Sequence, residues 1–329
     1  MPDLFSQAGA EEAQGRRRQM LRTAFGPAIA AALADPSVLD VLVNPDGRLW
    51  MDTAANGRRD SGARIAAAEA ERIIRLVAAH VRREITESAP IVSAELPDTG
   101  ERFEGIMPPV APAPCFAIRK PAHVLYRLSD YVAAHVMTPP QASVLAEAVR
   151  ARRNIIVVGG TASGKTTLVN ALLAEIAALN ERVVILEDTR ELQCAAEDVV
   201  ALRTKPGVAS LADLVRCTLR LRPDRIIVGE VRGPEALDML KAWNTGHPGG
   251  ITTVHANSGP AALLRLEQLV QEAVVTVPRA LVAEAIDLIV FLAGRGASRR
   301  VESLLQLEGL DPRGDYVLKP VSPPILHVV

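Results

Sequence analysis

The sequence predicts two folded parts, a small α+β region followed by an α/β region built on a parallel sheet. Three observations predict it. The 329 residues correspond to about two domains of ~150 residues each. The first third alternates helix-period stretches with pairs of short strand-like runs. Beyond Pro139-Pro140, wholly apolar runs of strand length alternate with helical segments, the pattern of parallel strands covered on both faces. Hydrophobic residues make up 49% of the chain, enough for sizeable cores and too many for a disordered one.

Residues 1 to about 36 read as a surface segment and then a helix, with Leu21, Phe25, Ile29 and Leu33 recurring every four residues and Asp35-Pro36 ending it. The start of the chain lacks a basic stretch followed by an apolar core, so no secretory leader is expected. Its most apolar run, 24–34, is shorter than the ~20 residues a bilayer span needs, so any membrane role is expected to be peripheral. Residues 39–43 and 49–51 read as strands joined by the turn Asn44-Pro45-Asp46-Gly47. A long amphipathic helix is expected over about 64–84, with Ile73, Val77 and Val81 on one side. Short strands follow around 92–96, 102–107 and 115–119. The expected division is an α+β domain at 1–126, a linker at 127–138 and the α/β domain at 139–329. Thr138 caps a helix with Pro139 in its first turn. The apolar strands are 155–158, 183–186, 226–228, 251–254 and 288–292. A closing hairpin turns at Asp311-Pro312-Arg313-Gly314-Asp315.

Lys and Arg total 37 against 38 Asp and Glu, a net charge of −1, and aromatics are 3%. Neither a basic excess nor a stacking platform is there, which argues against direct nucleic-acid binding. Cys115, Cys194 and Cys217 form no CxxC, so neither a zinc site nor a disulfide framework is expected and a reducing cytoplasm suits the chain.

The strongest chemical signal is Gly159-Gly160-Thr161-Ala162-Ser163-Gly164-Lys165-Thr166, a full GxxxxGK[ST] loop after a strand and opening a helix. Its glycines let backbone N–H groups, with those of Ser163 and Thr167 nearby, curl round a phosphate at a helix N-terminus. Lys165 supplies a cation for the β- and γ-phosphates and Thr166 a hydroxyl for Mg²⁺. A Gly-rich structural turn is the bland alternative. Glu187, at the end of an apolar strand, either orients water and helps hold a hydrated metal, or caps the next segment. Glu230 ends a second buried strand, and Gly229 stands where many such enzymes place an acid, leaving Glu230 to polarise the attacking water. His255 ends a third strand and is a candidate γ-phosphate sensor, His247 less so, with a buried hydrogen-bonded histidine as the alternative. Arg203, Arg216, Arg220, Arg222, Arg225 and Arg232 read individually as solvated surface residues, one or two of which reach a neighbour's phosphates if the chain forms a ring.

Four motifs stand in order: the phosphate loop, Glu187-Asp188-Thr189-Arg190-Glu191-Leu192, the run from Arg222 to Gly233 through Gly229-Glu230, and Gly246-His247 through Thr253-Val254-His255-Ala256. Together they resemble the Walker A, Asp box, Walker B and His box of the type II/type IV secretion ATPase superfamily. The resemblance implies a RecA-like ATPase domain preceded by a smaller α+β, PAS-like, domain. It implies ATP and Mg²⁺ as ligands, with Glu230, Glu187, Lys165 and His255 catalytic and Thr166 and Glu187 at the metal, the latter directly or through water. Arg102 and Arg119 match family positions that contact phosphates, so nucleotide is expected between the two domains. A homohexameric ring under an inner-membrane secretion channel, powering conjugative transfer or type IV secretion with membrane partners, is the implied setting. Pilus retraction, type II secretion and a nucleic-acid motor are the rival readings. A GTPase is disfavoured, because no NKxD is present.

Overall fold

The computed structural model describes residues 4–53, 56–97, 100–121, 125–205 and 207–321, so the expected chain start at 1–3 and the last stretch, 322–329, lie outside the described residues. The chain forms two compact units, Met1–His123 and Val124–Val329.

In the first unit, α1 (Leu4–Ala34) is broken at Gly26, whose φ of +62° precedes Pro27. Leu21, Phe25 and Ile29 are buried, as their spacing predicts. The sheet contains β1 (Val38–Val43), β2 (Arg48–Thr53), β3 (Gly57–Arg64), β4 (Ile91–Glu95), β5 (Arg102–Ile106) and β6 (Cys115–Arg119), in the order β3-β2-β1-β6-β5-β4. Neighbouring strands run antiparallel throughout. α2 (Ala67–His80) buries Ile73, Ile74 and Val77. The helix expected over 64–84 is therefore shorter, because Arg64 ends β3 and Arg82 has a left-handed φ of +56°. β3, Gly-Arg-Arg-Asp-Ser-Gly-Ala-Arg, is a polar edge strand with no apolar alternation to announce it, the kind of edge that discourages pairing with other chains.

One register row crosses this sheet as Glu95, Arg102, Arg119, Asp40, Asp52 and Arg58, each opposite the next. Like charges directly opposite repel, and the acidic neighbours at either side offset this for the Arg102–Arg119 pair. Arg119 holds Asp40 with Nε at 2.7 Å and a second bond at 3.2 Å.

The second unit opens with α3 (Leu128–Ala133) and α4 (Pro139–Arg150). The stretch 127–138 thus holds a helix, and Leu128, Tyr131 and Met137 are buried in the core of this unit. Thr138 Oγ1 accepts from the Gln141 N–H and the Gln141 side chain returns to the Thr138 N–H, a reciprocal cap. The remaining elements are β7 (Ile155–Gly159), α5 (Lys165–Ile176), β8 (Val183–Glu187), β9 (Val199–Arg203), α6 (Leu211–Thr218), β10 (Arg225–Val228), α7 (Glu235–Asn244), β11 (Ile251–Val254), α8 (Gly259–Gln271), α9 (Arg279–Ala285), β12 (Leu288–Ala293), β13 (Arg300–Leu310) and β14 (Tyr316–Pro320).

They build an eight-stranded sheet in the order β14-β13-β12-β7-β11-β10-β8-β9. From β12 to β9 the pairs are parallel, and β13 and β14 close the sheet as an antiparallel hairpin. Alternate residues of the strands feed two cores: Ile156, Val158, Val184 and Leu186 join α6 to α9, while Ile155, Val157, Val183 and Ile185 join α3, α4 and α5. β9, half-exposed at the edge, and the full length of β13 go beyond the expected strands.

Candidate functional site

The ends of parallel strands decide what this unit can bind. Gly159, Glu187, Glu230 and His255 all follow or close β7, β8, β10 and β11 at their C-terminal ends, where α/β sheets gather ligands. His247 precedes β11, so the two histidines stand at opposite edges of the sheet. Arg225 begins β10 at that far edge and is fully buried against Glu181, with Nη2 donating to Val149 O at 2.7 Å. The solvated reading of Arg225 is thereby corrected: a hydrophobic strand start encloses it, and it cannot reach another subunit.

The loop from β7 to α5 is shaped by its glycines. A Cβ on Gly159 would lie 2.6 Å from Leu292 O, and Gly164, the N-cap of α5, has φ +93°. Ala162 also adopts a left-handed φ of +61°, which costs a residue with a Cβ about 1–2 kcal/mol. Left-handed residues at 162 and 164 fit the backbone pattern of an anion nest ahead of a helix N-terminus. Space is open beside Gly160.

Lys165 is buried at the base of this loop. Its ammonium donates to Gly159 O at 3.1 Å and Gly160 O at 3.0 Å, and the His255 ring nitrogens lie 3.3 and 3.4 Å away. Burial brings its pKa down to about 8, with Glu230 pulling the other way. His255 Nε2 stands 2.9 Å from Glu230 Oε1, and Glu230 also pairs with Arg232. Burial first, then the charge of Lys165, holds the imidazole below its ordinary pKa, so His255 is neutral at pH 7. Lysine, histidine, glutamate and arginine thus form one connected line over the loop.

Glu187 is turned elsewhere. Its Oε1 accepts the N–H groups of Glu191 and Leu192, each at 2.8 Å, and burial raises its pKa to about 7. The carboxylate beside Thr166 is Glu191, whose Oε2 accepts from Thr166 Oγ1 at 3.2 Å. Asn170, on α5, clips the same segment by accepting from the Gln193 N–H at 2.9 Å and donating to Glu191 O at 3.2 Å. Sequence reasoning passed over Glu191 and Asn170. The four-residue spacing from Glu187 to Glu191 was the available signal for the first, and Asn170 on the helix after the loop had none. Arg102 and Arg119 lie in the first unit, on the charged row described above.

The sequence profile described as "Type II/IV secretion system protein" matches residues 27–296. The chain belongs to that family. It is a P-loop ATPase of secretion and conjugation machinery. Among relatives of the family, the "Conjugal transfer protein TrbB" of Rhizobium radiobacter is 49% identical over 291 residues, 88% of this chain and 90% of that protein. The "Type IV secretion system protein PtlH" of Bordetella pertussis is 34% identical, over 84% of this chain and 93% of its own. Two solved structures share the fold. The Legionella pneumophila ATPase DotB has a TM-score of 0.57 at 19% identity, covering 88% of this chain and 77% of its own. The pilus retraction motor PilT with bound ADP has a TM-score of 0.56 at 19% identity, covering 92% and 81%.

Proposed function

We propose that this family member is a homohexameric motor that binds ATP and Mg²⁺ on the 159–167 loop and powers conjugative DNA–protein transfer or type IV secretion. The observation that carries the reading is the line from Lys165 through His255 to Glu230 across the mouth of that loop. The loop N–H groups of 159–164 cradle the β-phosphate, and Lys165 leaves its two carbonyls for the β- and γ-phosphates. Glu230 takes a proton from the attacking water. His255, neutral and in contact with both Lys165 and Glu230, reports whether the γ-phosphate is present. Hydroxyl and carboxylate oxygens suit a hard cation, so Thr166, with Glu191 directly and Glu187 through water, would hold Mg²⁺. When bound there, the ion would supply charge neutralisation to the phosphate oxygens.

Arg102 and Arg119, opposite one another on β5 and β6, are proposed to exchange their acidic neighbours for phosphate oxygens when nucleotide is bound. The PAS-like character of the first unit, the protein's place on the cytoplasmic face of the inner membrane and its binding to membrane components of the channel belong to the same reading. No described helix is long and apolar enough to cross a membrane.

The test is phosphate release from MgATP by the full-length protein. Glu230→Gln is expected to slow turnover about 10²–10⁴-fold while nucleotide still binds, and Lys165→Ala to lose binding. Unchanged phosphate release in both variants would reject the assignment. Stimulation by single-stranded DNA would favour the nucleic-acid motor instead.

A further inference from the structure

A cation outside the four motifs reaches the phosphate loop. After β12 the chain turns at Gly294, passes a short 3-10 turn at Gly296–Ser298 and enters β13 just after Arg299. The start of β13 is fixed, since the Val301 N–H donates to Val136 O at 2.7 Å and Gln141 Nε2 donates to Val301 O at 3.1 Å. The Arg299 guanidinium lies against Gly164, where a Cβ would sit 2.8 Å from Cζ and 2.9 Å from Nε. Its Nε is buried without a hydrogen-bond partner, and the guanidinium has no ion pair among the described residues. A buried donor on a charged group is costly to leave unanswered, and the guanidinium lies beside the N-cap of the helix that forms the anion cradle.

We propose that Arg299 is a second, same-chain cation of the nucleotide site, giving its forked N–H groups to the phosphate chain of the bound nucleotide. The inference rests on the nucleotide reading above and extends it to a residue that none of the four motifs contains. Guanidinium suits the position because its planar fork meets phosphate oxygens in pairs and keeps its charge at any physiological pH. Lys165 differs on both counts, as a point charge with a lowered pKa. Gly164 is what admits Arg299, because any side chain there would occupy the place of the guanidinium.

The full-length protein is titrated calorimetrically with ADP and with inorganic pyrophosphate at fixed magnesium, and its ligand-free melting temperature is recorded. Arg299→Gln is expected to weaken both ligands about tenfold or more, with the ligand-free melting temperature unmoved. Arg299→Lys, which keeps the charge and loses the fork, is expected to weaken both about threefold. Wild-type affinities in Arg299→Gln overturn the proposal, and so does a loss confined to ADP, which would put Arg299 on the nucleoside. A lowered ligand-free melting temperature with affinity restored on cooling makes Arg299 a prop for the loop and also overturns it. Should Arg299→Gln fail to fold, Arg299→Lys decides, and wild-type affinity there is the overturning result. Lys165→Ala separates the two levels. A wild-type protein that binds neither ligand rejects the nucleotide reading itself, whereas binding lost in Lys165→Ala and intact in the Arg299 variants rejects only the role of Arg299.

Discussion

At Lys165 the chain keeps an ammonium where burial works against it. A shift from 10.5 to about 8 corresponds to about 3 kcal/mol that the charged form costs the ligand-free protein. Between those two values the unfolded chain holds a proton that the folded one has released, so stability rises with pH across pH 8 to 10.5. Lys165→Met should therefore be more stable than wild type at pH 7, by up to about 3 kcal/mol, and the gain should shrink towards pH 10.5. Urea unfolding at several pH values checks this, and a pH-independent difference would contradict it. ADP affinity should move the other way, weakening as pH rises above 8 because the ammonium that meets the phosphates is lost. Glu191 shows what a motif leaves open at this scale. The string Glu187-Asp188-Thr189-Arg190-Glu191 is plain in the sequence, but which carboxylate turns to Thr166 depends on Glu187 capping two backbone N–H groups, a packing outcome.

Elements were legible where burial is two-sided. β7, β8, β10, β11 and β12 are largely apolar runs because both faces of the parallel sheet are covered, with Glu187, Arg225, Thr252 and Thr253 as buried polar members, so composition marks most of each strand. β3 was not legible, since a solvated edge strand is held by backbone pairing and its side chains carry no period. α3 was hidden in the expected linker because it is only six residues long, too short for a helical stripe. Arg225 deceives for a related reason: its charge says surface, whereas its burial follows from the Glu181 partner 44 residues away in sequence. Arg225→Ala leaves Glu181 to Arg152 alone and takes the buried donor from Val149 O and Gly249 O, so it should cost about 3 kcal/mol, read by thermal unfolding. Arg232→Ala, near Glu230 and partly exposed, should change turnover with little change in melting temperature. Close packing of α7 on the sheet sets a third expectation. A Cβ on Gly250 would fall 2.0 Å from the Trp243 ring, so Gly250→Ala should destabilise by about 1–3 kcal/mol through overpacking. A wild-type melting curve for that variant would show that α7 has room to give.

For the whole molecule, two compact units predict two unfolding events by calorimetry. The phosphate loop lies in Val124–Val329, so a nucleotide at 100 times its dissociation constant should raise that transition by about 2.7 kcal/mol. A nucleotide effect confined to the other transition would place the ligand elsewhere. Arg225 bears on this scale as well. Its guanidinium joins the Glu181 carboxylate and the carbonyls of Val149 and Gly249, tying the close of α4, the approach to β8 and the lead into β11 together beneath the sheet. The rim of the sheet that faces away from the phosphate loop is thus the one cross-braced by a buried charge, three separate connections meeting on a single side chain.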